Sequence, residues 1–331
     1  MITIKHLLRL PEYHTLIFYI SRMACKEVTS KDAECLLHKF ETFLFDCDGV
    51  LWDSSKPKHG AHSGAVDAIK HLKDLGKKVI LLTNNPTMSR KGYHQKCLDL
   101  GFDIKETEVY GTSYTAAVYV KHVLKCEKKV YVVGMSGITE EFDEMGVDYV
   151  QPGYIEIDEA EEPFKTTNGP KDPAVGAILV SYDVFFNMNK LTEATQYAVD
   201  ENITFIATNT DGSISGGNGV VIPGTGCVVA AVETAANRKA VVLGKPNRLM
   251  FECIQKVHDI DPHTTIMVGD RMETDILFGK NCGLSTLLVM TGVTDKKRLN
   301  KVRVSEDTFI LPDYVASGVG ILCGSKHGFE E

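Results

Sequence analysis

From residue 30 onward, short, almost fully apolar runs alternate with longer stretches in which apolar residues recur every three or four positions. Thr42–Phe45, Lys78–Leu82, Val130–Gly134, Ala177–Val180, Thr204–Thr208, Ala240–Leu243, Thr265–Gly269 and Leu284–Val289 are too short for helices and rich in β-branched residues. They predict buried strands. Between them, residues 64–75 predict a helix with Ala65, Ile69, Leu72 and Leu75 on one face and Gly76 as its stop. Ser89 should cap a second helix carrying Tyr93, Cys97, Leu98 and Leu100, and further helices fit 227–236, 249–257 and a start at Asp275. Ser30, with Asp32 and Glu34 in the first turn, should open a short helix before the first strand. Strand and helix in alternation predict an α/β fold with a parallel sheet between helices. Two stretches break the rhythm: the acidic, proline-containing Asp158–Pro173 and the glycine-rich Asp211–Gly219 both read as loops.

The informative positions are where the strands stop. Thr42–Phe45 runs into Asp46-Cys47-Asp48-Gly49, and Lys78–Leu82 into Thr83-Asn84-Asn85-Pro86. Ala240–Leu243 ends in Gly244-Lys245-Pro246, and Thr265–Gly269 in Asp270. In open α/β sheets ligands bind outside the carboxyl ends of the strands, so these four ends are expected along one edge of one sheet. Each has an ordinary reading: Asp-Gly turn, polar turn, surface lysine, helix cap. Together they supply one chemistry. Asp46 and Asp48 give one acid able to attack and one able to move a proton. Asp46, Asp270 and the Asp48 carbonyl give a hard cation such as magnesium enough protein oxygens. Thr83 and Asn84 offer donors to a phosphate, and Lys245 a fixed positive charge.

Composition narrows the partners. The chain has 331 residues, 44% hydrophobic and 24% charged, with a net charge of −8, which argues against an electrostatic nucleic-acid binder or an anionic-membrane protein. No apolar run approaches the ~20 residues of a membrane helix. Nine cysteines without a Cys-x-x-Cys pair predict reduced thiols and a cytoplasmic location. Residues 1–22 carry Lys5, Arg9 and Arg22 against the single acid Glu12. That leaves open a mitochondrial targeting segment or a dispensable extension, the extension being placed over 1–30.

Asp46-Cys47-Asp48-Gly49-Val50-Leu51-Trp52, Thr83-Asn84-Asn85, Gly244-Lys245-Pro246 and Val268-Gly269-Asp270-Arg271-Met272-Glu273-Thr274-Asp275-Ile276 resemble, in order, the four motifs of the haloacid dehalogenase superfamily. Ala207-Thr208-Asn209-Thr210-Asp211 and Ile222-Pro223-Gly224-Thr225-Gly226 resemble its phosphoglycolate phosphatase/pyridoxal phosphatase (4-nitrophenylphosphatase) branch. The resemblance implies a Rossmann-like core over 31–120 and 240–331, with a C2-type α/β cap inserted at 121–239. It implies magnesium-dependent phosphomonoester hydrolysis in which Asp46 is the nucleophile and Asp48 the acid and base. Thr83, Asn84, Asn85 and Lys245 would hold the phosphoryl oxygens. Asp46, Asp48 and Asp270 would hold the metal, with Asp275 behind them. A homodimer joined through the cap, around Ile178–Ala198, is also implied.

The cap loop sets the expected substrate. Asn209, Asp211 and Ser213 are short and polar, and Gly212–Gly219 contains no ring to stack on a pyridine. That favours a small aliphatic phosphate, 2-phosphoglycolate or glycerol 3-phosphate, over pyridoxal 5′-phosphate or a phosphoprotein. Three other readings fit less well. Gly224-Thr225-Gly226 lacks the third glycine of a dinucleotide fingerprint, and Gly244-Lys245 is followed by Pro246 where a P-loop needs Ser or Thr. A non-catalytic binding protein would not need every reactive position filled, while a mutase on the same core stays open.

Overall fold

The computed structural model describes residues 25–53, 60–152, 171–215, 220–305 and 308–323. The expected N-terminal extension up to residue 24, residues 158–170 of the acidic stretch and the run 216–219 lie outside the described residues. In chain order the strands are β1 (Lys26–Glu27), β2 (Thr42–Phe45), β3 (Lys78–Thr83), β4 (Val109–Gly111), β5 (Lys129–Val133), β6 (Tyr149–Val150), β7 (Val175–Val180), β8 (Thr204–Ala207), β9 (Ser213–Ser215), β10 (Val221–Pro223), β11 (Val241–Val242), β12 (Thr265–Gly269), β13 (Ser285–Val289) and β14 (Tyr314–Ala316). The described residues divide into two compact units, and the division falls within β3: those up to Ile80 and from Ile260 onward build the first, those of Leu81–Asp259 the second. Among the described residues no helix is long and apolar enough to cross a membrane.

The first unit is a sheet in the order β1-β14-β13-β12-β2-β3, and β2, β12, β13, β14 and β1 pair in parallel. Phe43, Leu44, Phe45, Ile266, Met267 and Val268 are fully buried on both faces, as a parallel strand covered by helices on both sides must be. Each such side chain stabilises the fold by roughly 1.5–3 kcal/mol. The first helix is Ser30–Lys39. Its cap is Thr29, not Ser30, because the Asp32 carboxylate reaches back to the Thr29 N–H while the Thr29 hydroxyl accepts from Asp32 N–H. The helix Ala65–Asp74 buries Ala65, Ala68, Ile69 and Leu72. Leu75, expected on that face, is the C-cap and stays half exposed because the helical period ends before it. The unit reaches back before Ser30: Cys25 is buried under the Arg303 guanidinium, and β1 pairs with β14. Strands of two and three residues give too little pattern to be seen in sequence.

The second unit holds a five-stranded parallel sheet in the order β11-β8-β7-β5-β6. Alternation along each strand splits its core in two. Tyr131, Val133, Ile178, Val180 and Phe205 pack with residues of the helices Met188–Ala198 and Thr225–Ala236. Val130, Val132, Leu179 and Ile206 pack with residues of Thr112–Val118 and Ser136–Met145 on the other face. On the helix Arg90–Asp99, capped by Ser89, Tyr93 and Cys97 are buried as expected, whereas Leu98 is exposed.

Two expectations need correction here. The strand leading to Lys245 is β11, and it belongs to this sheet, beside β8, not to the sheet of β2 and β12. The helix Thr225–Ala236 is followed by only a few residues, so the parallel crossover from β8 returns next to β8. The segment 211–219, expected as loop, contains β9, which forms an antiparallel hairpin with β10 through Ile214↔Ile222. Glycine and serine hide the alternation there.

Candidate active site

In the first unit, β2 stays paired with β12 to its last residue: Val268 lies opposite Phe45, and Asp46 N–H donates to Val268 O at 2.9 Å. The chain then turns tightly. The Cys47 carbonyl accepts from Leu51 N–H at 2.9 Å, and Gly49, at φ 86°, donates to Trp52 O at 2.8 Å. Only glycine fits at 49. Its φ is left-handed, and a Cβ there would stand 2.6 Å from Asp270 Oδ2. The turn brings the fully buried Trp52 back so that its Nε1–H donates to Asp48 Oδ1 at 2.7 Å.

Asp46, Asp270 and Asp275 converge, each offering an oxygen within 4.8 Å of the others. Asp270 is 3% exposed and Asp275 1%. Backbone donors hold the pair: Val293 N–H to Asp270 Oδ2 at 2.6 Å and Arg271 N–H to Asp275 Oδ2 at 3.1 Å. A Cβ at Gly292 would overlap the Asp270 carboxylate. Two ionised carboxylates at this separation repel by about 3.5 kcal/mol or more at an effective dielectric of about 20. A hard divalent cation is the complement such a cluster fits, because every donor is a carboxylate oxygen. Asp275, expected behind the other two, offers an oxygen within the same 4.8 Å.

In the second unit, the ends of β3, β8 and β11 form a network of amides and hydroxyls around one lysine. Thr83, 1% exposed, accepts from Asn85 N–H at 3.1 Å through Oγ1. Asn85 folds its own loop, its Oδ1 taking Thr87 N–H at 3.1 Å and the Thr87 hydroxyl at 2.8 Å. Asn84 turns inward. Its Oδ1 accepts from Lys245 N–H at 2.8 Å, and its Nδ2 donates to Lys245 O and to Asp211 Oδ2, both at 2.9 Å. Both side-chain hydrogens of Asn84 are thereby used within the protein. Lys245 is 2% exposed, its Nζ donates to Leu82 O at 3.2 Å, and its bond to Pro246 is cis. Of the expected cap residues, Asn209 is buried and donates to Asp211 Oδ2 at 2.7 Å, while Ser213 lies exposed on β9.

A model described as haloacid dehalogenase-like hydrolase matches residues 43–148, and a related hydrolase-like model matches 242–319. A glycerol-3-phosphate phosphatase of Gallus gallus is 38% identical over 90% of this chain and 96% of its own length. The chain belongs to the haloacid dehalogenase-like hydrolases. A 4-nitrophenylphosphatase of Schizosaccharomyces pombe is also 38% identical, over 91% of this chain and 99% of the relative. A solved p-nitrophenyl phosphatase of Archaeoglobus fulgidus, 27% identical, superposes with a TM-score of 0.71 over 86% of this chain and 98% of that one. Within the family this chain is a phosphatase.

Sequence reasoning missed three parts of this haloacid dehalogenase-like site. Trp52 is the chain's only tryptophan and sits four residues after Asp48, a signal that was available. Gly292 and Val293 shape and bind Asp270 from a loop after β13 whose sequence carries no chemistry. The inward turn of Asn84 joins residues 127 and 161 positions apart, a separation no local pattern encodes.

Proposed function

We propose that this phosphatase is a magnesium-dependent phosphomonoesterase that works through an aspartyl-phosphate on small phosphorylated metabolites. Glycerol 3-phosphate and 2-phosphoglycolate are its foremost substrates, and 4-nitrophenyl phosphate serves as an artificial one. The observation that carries the reading is the convergence of Asp46 and Asp270, at the ends of paired strands, with Asp275 from the helical turn Met272–Ile276. An Asp46 carboxylate oxygen attacks phosphorus as the bond to the leaving oxygen breaks, and Asp48 gives that oxygen its proton. Water then attacks phosphorus, Asp48 takes the water's proton, and Asp46 is released with inorganic phosphate. Trp52 holds Asp48 Oδ1, which fixes the carboxyl that moves these protons. Magnesium, held by Asp46, Asp270, Asp275 and the Asp48 carbonyl, would supply the positive charge that lets a phosphate approach an anionic nucleophile. Thr83 and Lys245 hold the phosphoryl oxygens.

Segment 121–239 acts as the cap that selects the leaving group. The relative named for glycerol 3-phosphate and the absence of any aromatic residue from the sequence Gly212–Gly219 both support a small aliphatic alcohol. We further propose a homodimer through this segment, supported by the apolar surface at the start of the helix Met188–Ala198: Val184 is 56% exposed, Phe185 56% and Met188 65%. Light scattering should give twice the mass of the 36.5 kDa chain, and Phe185→Asp should give a monomer. A wild-type monomer at micromolar concentration removes the dimer.

Kinetics of the purified protein over a panel of phosphomonoesters test the function. We expect kcat/KM for glycerol 3-phosphate or 2-phosphoglycolate to exceed that for pyridoxal 5′-phosphate by at least ~10-fold, about 1.4 kcal/mol of transition-state discrimination. Preference for pyridoxal 5′-phosphate overturns the substrate, and failure to hydrolyse any member overturns the function.

A further inference from the structure

We infer that Asp211 is a positioning residue for Lys245, acting through Asn84, and does not recognise the leaving group. The inference rests on the proposed contact of Lys245 with the phosphoryl group.

Asn84 grips the Lys245 main chain from both sides, Oδ1 to N–H at 2.8 Å and Nδ2 to C=O at 2.9 Å. An asparagine side chain can do this only in one amide orientation, since the reverse would set N–H against N–H and oxygen against oxygen. Asp211 fixes that orientation. Its Oδ2 accepts the second Asn84 hydrogen at 2.9 Å, which an Asn84 oxygen in that place would forbid. The same oxygen accepts from Asn209 Nδ2 at 2.7 Å. Asn209 Oδ1 takes the Thr208 hydroxyl at 3.0 Å, and Thr208 shares a hydrogen bond of 2.9 Å with Ser181 at the end of β7. A chain of side chains therefore runs from the ends of β7 and β8 to the end of β3, and closes on Lys245. Ser181, Thr208 and Asn209 are at most 3% exposed, so each bond in the chain replaces one to water and is costly to leave unmade.

The backbone at this point leaves no slack. A Cβ at Gly244 would stand 2.6 Å from Asn84 Oδ1, 2.7 Å from Thr112 Cγ2 and 2.8 Å from Thr208 O. Thr112 Oγ1 in turn donates to Asn84 O at 3.0 Å. Gly224 and Gly226 face Asp211 in the same way: a Cβ at Gly226 would meet Thr210 O at 2.5 Å. Gly226 N–H donates to Asp211 O at 2.9 Å. The backbone that carries Asp211 is thus held before any ligand arrives, and its carboxylate is held by the Asn84 and Asn209 amides, as a positioning group must be.

The test is steady-state kinetics of Asp211→Ala, Lys245→Ala and the double variant, with glycerol 3-phosphate, 2-phosphoglycolate and 4-nitrophenyl phosphate as substrates. Asp211→Ser runs in parallel, so the test stands if the alanine chain does not fold. Asp211→Asn keeps an acceptor oxygen and should retain activity within about threefold, oriented by the two amides it faces. Loss of Asp211 should lower kcat/KM by about 10- to 100-fold, by the same factor for all three substrates, because the phosphoryl group is common to them. Adding Asp211→Ala to Lys245→Ala should cost nothing further. A loss that differs by tenfold among the leaving groups, or that multiplies with Lys245→Ala, overturns the inference and leaves Asp211 as a substrate contact. An unchanged kcat/KM in Lys245→Ala overturns the role of Lys245 itself, and Asp211 as its support falls with it.

Discussion

The acidic end of the first unit and the amide-rich end of the second are built on opposite principles. In the first, Asp46, Asp270 and Asp275 are like charges within 4.8 Å of one another, and what steadies them is backbone N–H and the absence of side chains at Gly49 and Gly292. Its electrostatics ask for a positive ligand. In the second, the buried charges have protein partners. Lys190 meets Asp183 at 2.7 Å with both side chains buried, and Arg90 meets Glu141 at 3.2 Å. Asn84, Asn209, Thr208 and Ser181 satisfy one another. The first region should therefore respond to charge and metal, and the second to geometry.

The largest effect is expected where the comparison puts the reacting group. Asp46→Asn keeps the volume of the side chain but removes the proposed nucleophile, and should lower 4-nitrophenyl phosphate turnover by about 10⁴-fold or more. Asp46 is half-buried, so circular dichroism should show the fold retained. Turnover near the wild-type rate would show that this carboxylate does not attack phosphorus.

Metal dependence follows. Chelation by EDTA should stop turnover and added magnesium restore it, while calcium, with its larger and looser coordination, should inhibit. Gly292→Ala sharpens the same point without touching a carboxylate, because the added methyl would displace Asp270. A loss of about 100-fold, partly recovered at high magnesium, is expected. Full activity in chelator would separate the acidic cluster from catalysis altogether.

A smaller loss should come from the second region, through shape alone. Gly244→Ala pushes a methyl towards Asn84 Oδ1, Thr112 and Thr208 O. We expect activity to fall by about 10- to 100-fold with no recovery at high magnesium. Recovery by magnesium there would break the distinction between the two regions.

The same contrast explains what the sequence revealed. The convergence of Asp46 and Asp270 was legible because carboxylates at the tips of fully apolar strands have few other uses, and β2 and β12 are long enough to show the pattern. The α/β alternation was legible for the same reason. Lys245 was recognised as a residue but assigned to the wrong sheet, since two residues of β11 do not say which strand they pair with. Asn84 was read as a ligand donor, whereas its amide faces the main chain of Lys245. Amides serve turns, caps and networks alike, and their partners are set by tertiary contact. The β9–β10 pair, the edge strand β1 and its neighbour β14 escaped because each is only two or three residues long.

The smallest expected effect concerns stability, and it tests whether the charge of the second region is held for structure. Glu141 is fully buried, takes Arg90 N–H and Nε–H, and lies near Glu144, which also binds Arg90. Burial raises its pKa above the ordinary 4.5, against the lowering pull of the Arg90 hydrogen bonds and charge. A carboxyl whose pKa is higher folded than unfolded contributes stability that is fully present below the unfolded value. As pH rises, the unfolded chain releases its proton first, so that contribution shrinks until the folded group ionises too. Glu141→Gln removes this titration but keeps a buried acceptor for Arg90, which retains Glu144 and its stack 3.6 Å over the Tyr114 ring. The variant should differ from wild type by about 1 kcal/mol at neutral pH. Its melting temperature should fall less than that of the wild type as pH is raised from about 4.5. Thermal melts across that range decide it. A wild type that instead gains stability relative to the Glu141→Gln variant as pH rises would mean that Arg90 holds Glu141 ionised below its ordinary range, and that the ion pair outweighs burial.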